Sequence, residues 1–316
     1  MSDPKSTTAL SRRQFIKGAT IGFALGWTGC SRTEPRGNDK PQTRETPKAG
    51  PFRFGVLTDV HYADADTKGT RHYRDSLEKL RQAIDTFKRL GVAFVVQLGD
   101  LVDAGGSKED ELVYLRTIDE VYGGFHGDRH YVLGNHCLNA FTKETFLAAC
   151  SATTKQSYYS FDSGGRHFVV LDANFNQDGS PFAEGNYKWE DSWIPESEQQ
   201  WLQSDLAAAG DKKTIVFIHQ ELHDETKRHG VKNAADVRRI LEAAGNVVAV
   251  FQGHDHSGGY TMVAGIDYFT LKAMVEGPFP ENNSYTVVTL DPSGQMELDG
   301  YGQQEDAATD DHQVKA

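Results

Sequence analysis

Cysteine is nearly absent from this 316-residue chain, which carries only Cys30, Cys137 and Cys150. Three thiols exclude a four-thiolate zinc site and a disulfide-built scaffold. Cys137 and Cys150 could pair in an oxidising compartment or remain separate buried thiols, and their spacing does not decide between the two. Also missing is any apolar run of the roughly 20 residues that a membrane-crossing helix needs. Positive charge is scarce as well: 33 Lys and Arg stand against 45 Asp and Glu, a formal net charge of −12. A field of that sign argues against a partner such as a nucleic-acid polymer or a bare anionic membrane. An acidic chain that handles phosphate needs a local source of positive charge, and a metal site is one. There are no internal repeats. What is present, 38% hydrophobic and 10% aromatic residues, suffices for one large core or two small ones.

The ends do not read as fold. Residues 1–30 include "SRRQFIKGATIGFALGWTGC", a basic start with Arg12 and Arg13 followed by a short, glycine-interrupted apolar stretch. Ser11, Arg12, Arg13, Phe15, Ile16 and Lys17 resemble a twin-arginine export signal. Thr28-Gly29-Cys30 resembles a lipoprotein cleavage box, although Trp27 stands where an aliphatic residue is usual. Together these imply use of the twin-arginine export machinery and a place in the periplasm or cell envelope, with or without a lipid anchor at Cys30. Residues 31–50 place Pro35, Pro41 and Pro47 among charges and read as a solvated linker. Residues 303–316 hold almost no core-forming side chains and read as a frayed acidic tail. The folded domain is therefore expected over 51–302.

Within it, short apolar runs alternate with helical patterns. "FRFGVLTD" (52–59), "AFVVQLGD" (93–100), "HYVLGNH" (130–136), "TIVFIH" (214–219) and "VVAVFQGH" (247–254) read as strands. Leu77, Leu80, Ile84 and Phe87 recur at helical spacing before Gly91, and Leu112, Leu115, Ile118 and Val121 mark a second helix. "SYYSFD" and "HFVVLD" flank Ser163-Gly164-Gly165 as a hairpin. Pro195 precedes a helix carrying Trp201, Leu202 and Leu206. Asn233 can cap a helix that stops at Gly245. After residue 254 only strands follow. Early βαβ units with a β-rich second half suggest two stacked sheets with helices outside, and ligands of such folds gather at the carboxyl ends of strands.

Five of those strands end in ligand-type residues: Asp59-Val60-His61, Gly99-Asp100 with Asp103 after it, Gly134-Asn135-His136, His219, and Gly253-His254-Asp255-His256. Carboxylate, carboxamide and imidazole without thiolate suit Mn, Fe, Zn or Co better than a calcium cage or a cysteine-rich zinc site. If Asp59-Val60-His61 and His254-Asp255-His256 are extended, alternate residues point the same way and each pair reaches one side of a common site. The set exceeds the needs of one tetrahedral ion and suffices for two if a carboxylate bridges.

Taken in order, D-x-H, G-D-x-x-D, G-N-H, a later His and G-H-x-H resemble the calcineurin-like metallophosphoesterase family from Asp59 to His256. The resemblance implies an α/β fold, a four-layer α/β/β/α sandwich of two mixed sheets flanked by helices. It implies two divalent metal ions (Mn, Fe or Zn), one on Asp59, His61, Asp100 and His256 and the other on Asp100, Asn135, His219 and His254, with Asp100 bridging. It further implies that His136 is catalytic rather than a metal ligand and that Asp103 orients it. The implied reaction is hydrolysis of a small phosphoester, a phosphodiester or pyrophosphate, by a metal-bridging hydroxide. A phosphomonoesterase and a non-catalytic metal-containing binder are the alternatives. Cys137 departs from the acidic residue the family commonly has there, and Asp103 and His61 depart from the purple acid phosphatase branch.

The stretch 172–201 is long, irregular and aromatic, with Phe175, Phe182, Tyr187, Trp189 and Trp193. It reads either as a loop covering the core edge or as a lid that stacks on a planar leaving group. It also resembles the manganese-dependent ADP-ribose/CDP-alcohol diphosphatase branch. His223, Lys227, Arg228, His229 and Lys232 form either a solvated basic face or a second clamp on phosphate.

Overall fold

The computed structural model describes residues 51–291 and 295–309. The leader and linker expected over 1–30 and 31–50, and residues 310–316 of the tail, lie outside the described residues. Among the described residues no helix is long and apolar enough to cross a membrane.

The first half alternates strand and helix: β1 (Phe52–Leu57), α1 (Ser76–Leu90), β2 (Phe94–Gln97), α2 (Lys108–Tyr122) and β3 (Asp128–Tyr131), then a single 3-10 turn at His136–Leu138 and the short α3 (Lys143–Ala149). The hairpin β4 (Tyr159–Ser163) and β5 (Arg166–Val170) follows, then α4 (Glu196–Ala209), β6 (Thr214–Phe217), α5 (Ala234–Ala244) and β7 (Val247–Gln252). The rest is strand: β8 (Gly259–Val263), β9 (Ile266–Thr270), β10 (Ser284–Leu290), β11 (Met296–Gly302) and β12 (Ala307–Ala308). They form two mixed six-stranded sheets, ordered β12-β11-β10-β1-β2-β3 and β4-β5-β6-β7-β9-β8. β1, β2 and β3 run parallel, as do β5, β6, β7 and β9, so their carboxyl ends open toward the polar segments that follow them.

Side chains alternate across each strand and sort into three apolar layers. Phe54, Phe94, Phe168, Phe217 and Phe251 meet between the sheets, with ring centroids such as Phe54–Phe94 at 5.0 Å and Phe54–Phe217 at 5.8 Å. Leu57, Val95, Leu80, Phe87 and Leu115 fill the space between the first sheet and α1 and α2. Val169, Val216, Val250, Leu202 and Leu241 do the same between the second sheet and α4 and α5. This is the expected four-layer α/β/β/α sandwich, with rings supplying large buried area in its middle.

Three local readings differ from the sequence pattern. Asn233 precedes α5 but does not cap it through its side chain; its carboxamide instead binds both backbone groups of Ile194 and fastens the start of α4. The helix α3 has too few turns for periodicity to reveal; Thr142 caps it by accepting from Thr145 N. The domain also runs past Gly302. The backbone folds back so that Ala307 and Ala308 pair with β11, Asp306 accepts from Gly300 N and Thr309 accepts from Met296 N. Polar side chains thus secure a segment with no apolar pattern. Cys137 and Cys150 are free, buried thiols.

Candidate active site and metal centre

Strand pairing stops two to four residues before the expected ligands. β1 ends at Leu57, β2 at Gln97, β3 at Tyr131, β6 at Phe217 and β7 at Gln252. After β1, β2 and β7 the reason is in the backbone: Asp59, His61, Asp100 and His254 have φ of 51°, 46°, 50° and 69°. A non-glycine residue in that left-handed region cannot continue a ladder and costs on the order of 1–3 kcal/mol. The expectation that Asp59-Val60-His61 and His254-Asp255-His256 are extended is therefore corrected. The turns do more than aim a pair at one side: His254 joins Asp100 and His219, whereas His256 joins Asp59 and His61. Glycine makes room for this. A Cβ on Gly134 would lie 2.2 Å from Asp100 Oδ1, and one on Gly253 would lie 2.1 Å from Thr58 Oγ1.

All seven expected ligands converge. His61 Nε2 lies 3.5 Å from Asp59 Oδ1 and 3.6 Å from Asp100 Oδ2. His256 Nε2 is 3.4 Å from Asp59 Oδ1 and 3.2 Å from His61 Nε2. His219 Nε2 is 3.2 Å from Asp100 Oδ2. Each carboxylate is tied by one oxygen and leaves the other toward the histidines. Asp59 Oδ2 accepts from Thr58 Oγ1 at 2.6 Å and from His254 N at 3.0 Å; Asp100 Oδ1 accepts from His136 N at 2.8 Å. The outer nitrogens of three rings are held the same way: His219 Nδ1 donates to Leu98 O at 2.8 Å, His61 Nδ1 meets Asp103 Oδ2 at 3.0 Å and His256 Nδ1 meets Glu276 Oε1 at 2.6 Å. Such partners fix the tautomer and turn Nε2 inward.

The arrangement fits two divalent ions. Among the described residues Asp59 Oδ1, Asn135 Oδ1, His219 Nε2 and His254 Nε2 are buried with no hydrogen-bond partner. Leaving four such atoms unmatched in one place is costly, and cations remove that cost. Ligand groups form around Asp59, His61 and His256 and around Asp100, His219 and His254. His136 also comes within ligand range of His61 and Asp100, but its Nδ1 is engaged by Asp103 Oδ1 at 3.1 Å.

Electrostatics match. Burial would raise the Asp59 carboxyl, but His219, His256 and His61 outweigh it and hold it well below the usual carboxylate range. Asp103 is likewise lowered despite its burial, by hydrogen bonds from His136 and His61. Burial lowers His136, yet Asp100 and Asp103 leave it raised overall. For His254 burial dominates and the ring is pushed well down, favouring the neutral form that can bind a cation.

Some functional side chains gave no signal in sequence. Glu276 lies in "KAMVEGPF", where an acid reads as a loop polar residue. Its loop is pinned by buried Lys79, which donates to the carbonyls of Met274, Glu276 and Gly277. Asp103 serves two rings rather than His136 alone. Arg71 approaches Asp103 at 3.5 Å and, with Trp189 and His229, walls a cleft of about 260 Å³ above the converging ligands.

The aromatic stretch 172–201 divides between its two readings. Phe182 is buried and stacks on Tyr187 at 4.3 Å, and the Tyr187 hydroxyl donates to Asn135 O and to Asn139 Oδ1. Trp189 instead faces the cleft, edge-on to His254 at 5.2 Å and stacked with His229 at 5.5 Å. Of the five basic residues after His219, His229 lines the cleft, while Arg228 lies over Trp189 at 4.3 Å and pairs with Glu190.

The sequence matches the calcineurin-like phosphoesterase family over residues 52–258. Manganese-dependent ADP-ribose/CDP-alcohol diphosphatases from Arabidopsis thaliana and Danio rerio are each 25% identical to it. Those alignments cover 72% and 81% of this chain and 87% and 97% of the relatives. The crystal structure of a dimetal phosphatase from Danio rerio has the same fold, with a TM-score of 0.71 at 24% identity, covering 81% of this chain and 98% of that one. The family match spans more than half of the chain, and the sandwich and its preoriented, unmatched ligand atoms agree with it: this chain belongs to the calcineurin-like phosphoesterase family, as a hydrolase of phosphoric ester bonds that works with two divalent metal ions.

Proposed function

We propose that the substrate is a small nucleoside diphosphate ester of the ADP-ribose or CDP-alcohol type, cleaved at its pyrophosphate bond. The observation that carries this reading is Trp189, an aromatic side chain lining the cleft edge-on to His254 at 5.2 Å, where it can pack against a planar base beside a phosphate held over the ligands. The names of the diphosphatase relatives support it.

Asp59, His61, Asp100 and His256 would hold one ion and Asp100, Asn135, His219 and His254 the other, with Asp100 shared. When bound, the ions supply the Lewis-acid charge that polarises a phosphoryl group and makes water acidic, so local charge overrides the acidity of the whole chain. The chain's own residues do the rest. Asp103 orients His136 through Nδ1, leaving the other ring nitrogen to pass a proton to the leaving oxygen. Arg71 adds a guanidinium at the cleft wall that can pair with phosphate. Trp189 and His229 narrow the cleft and exclude water from the bound ester.

Export completes the reading: the Ser11–Lys17 segment supports passage through the twin-arginine machinery to the periplasm or envelope, and Thr28-Gly29-Cys30 supports a lipid anchor at Cys30. Replacing Arg12 and Arg13 by Lys should retain the protein in the cytoplasm; unchanged fractionation would sink this part.

The substrate is tested by Mn²⁺-dependent kcat/KM on ADP-ribose, CDP-choline, a 2′,3′-cyclic nucleotide and p-nitrophenyl phosphate. The two diphosphate esters should lead. A lead for the monoester would overturn the substrate class while leaving the hydrolase standing.

A further inference from the structure

We propose that Glu221, His229 and Asp255 form a third divalent-cation site next to the dinuclear centre, distinct from it in every ligand. One ligand atom from each of the three lies within 4.8 Å of the others. Ligands about 2.0–2.6 Å from a common ion have such spacings.

The buried carboxylate is what points to an ion. Glu221 is 1% exposed. Its Oε1 accepts from Thr270 Oγ1 at 3.1 Å, but its Oε2 is buried with no hydrogen-bond partner among the described residues. The nearby cationic groups stop short. Lys227 Nζ is 3.8 Å from Oε2 on a half-exposed side chain. His223 Nε2 is 3.9 Å from Oε1, and its Nδ1 faces Gln252 Nε2 at 2.7 Å. His229 Nδ1 and Asp255 Oδ2 are 3.7 Å apart, too far for a hydrogen bond. Three ligand atoms thus converge without satisfying one another, an arrangement a cation would satisfy.

The backbone holds them in place. Glu221 N donates to His229 O at 3.1 Å and Val231 N donates to Glu221 O at 2.9 Å, while Asp255 is held in a turn by Gly258 N at 3.0 Å. One imidazole and two carboxylates leave positions for water and suit Mn²⁺ or Zn²⁺. An ion here ties the loop carrying His229 to the turn carrying His254 and His256, and so fixes the Trp189 that stacks on His229. Lys227 competes for Glu221, so this site fills after the dinuclear pair.

The test is equilibrium dialysis of full-length, chelator-stripped protein against Mn²⁺ alone, with bound metal counted by elemental analysis. Wild type should bind two ions tightly and a third more weakly. Glu221→Gln should remove only the weak phase, Asp255→Asn should do the same if the first variant folds poorly, and Lys227→Ala should tighten that phase. Saturation of wild type at two ions would overturn the proposal. So would a third ion that persists unchanged in both Glu221→Gln and Asp255→Asn, because it would then bind elsewhere on this acidic surface.

Discussion

The floor and the wall of the cleft are built by different means. The floor is made of strand tips: seven side chains on short turns from both sheets, five of them (Asp59, His61, Asp100, His219 and His256) fixed by a further hydrogen bond to backbone, hydroxyl or carboxylate. The wall is made of loops. Trp189 is held by stacking on His229, by the guanidinium of Arg228 and by an exposed Arg228–Glu190 pair, and exposed pairs contribute little. The floor can therefore fix a reaction type while the wall changes its substrate. If this division is right, damage to each should show in different parameters.

The largest effect is expected on the floor. His136→Ala should keep both metals and lose about 10²–10⁴-fold in kcat; loss of metal at an unchanged rate per bound metal would contradict its catalytic assignment. A control for the core beneath both regions comes from His130, which is buried and stacked on Phe161 at 3.7 Å. Burial lowers this ring to about 4, below the roughly 6.5 of the unfolded chain. The unfolded state then binds more protons between those values. The contribution is thus fully present above about pH 6.5 and is lost as pH falls toward 4, on the order of 3 kcal/mol. The urea midpoint of wild type should fall relative to that of His130→Phe as pH drops through that window, and parallel curves would contradict the account. Glu276→Gln should weaken metal binding or activity by about 10–100-fold, because it orients His256 without touching substrate; an unchanged metal titration would make Glu276 merely structural. The smallest effect belongs to the wall. Trp189→Ala should raise KM for a nucleoside diphosphate ester on the order of 10-fold, with kcat and metal content unchanged. A fall in bound metal would erase the division between wall and floor.

The same division explains what the sequence made legible. Each floor ligand adjoins an apolar run and most carry a glycine, so Asp59, Asp100, Asn135, His219 and His254 stand out at strand ends. Two stacked sheets with helices outside followed from where helical and strand periods alternate, and the four-layer α/β/β/α order from the family resemblance. The strands end two to five residues before the sequence pattern does, at Asp59 and Asp100 because left-handed φ has already ended pairing. Glu276 was invisible since its partner, His256, arrives only through a loop pinned by Lys79. The wall was ambiguous for a related reason: Tyr187 and Trp189 are two residues apart, yet one packs on Phe182 and the other faces the cleft, and no periodicity separates them.

The central claim is that one carboxylate, Asp100, joins two cation sites on the floor. Electron paramagnetic resonance during Mn²⁺ titration of chelator-stripped protein tests it most directly. The first two equivalents should give the signal of an exchange-coupled pair, which Asp100→Asn abolishes. Two equivalents bound as isolated, uncoupled ions, or a coupled signal that survives Asp100→Asn, would contradict it.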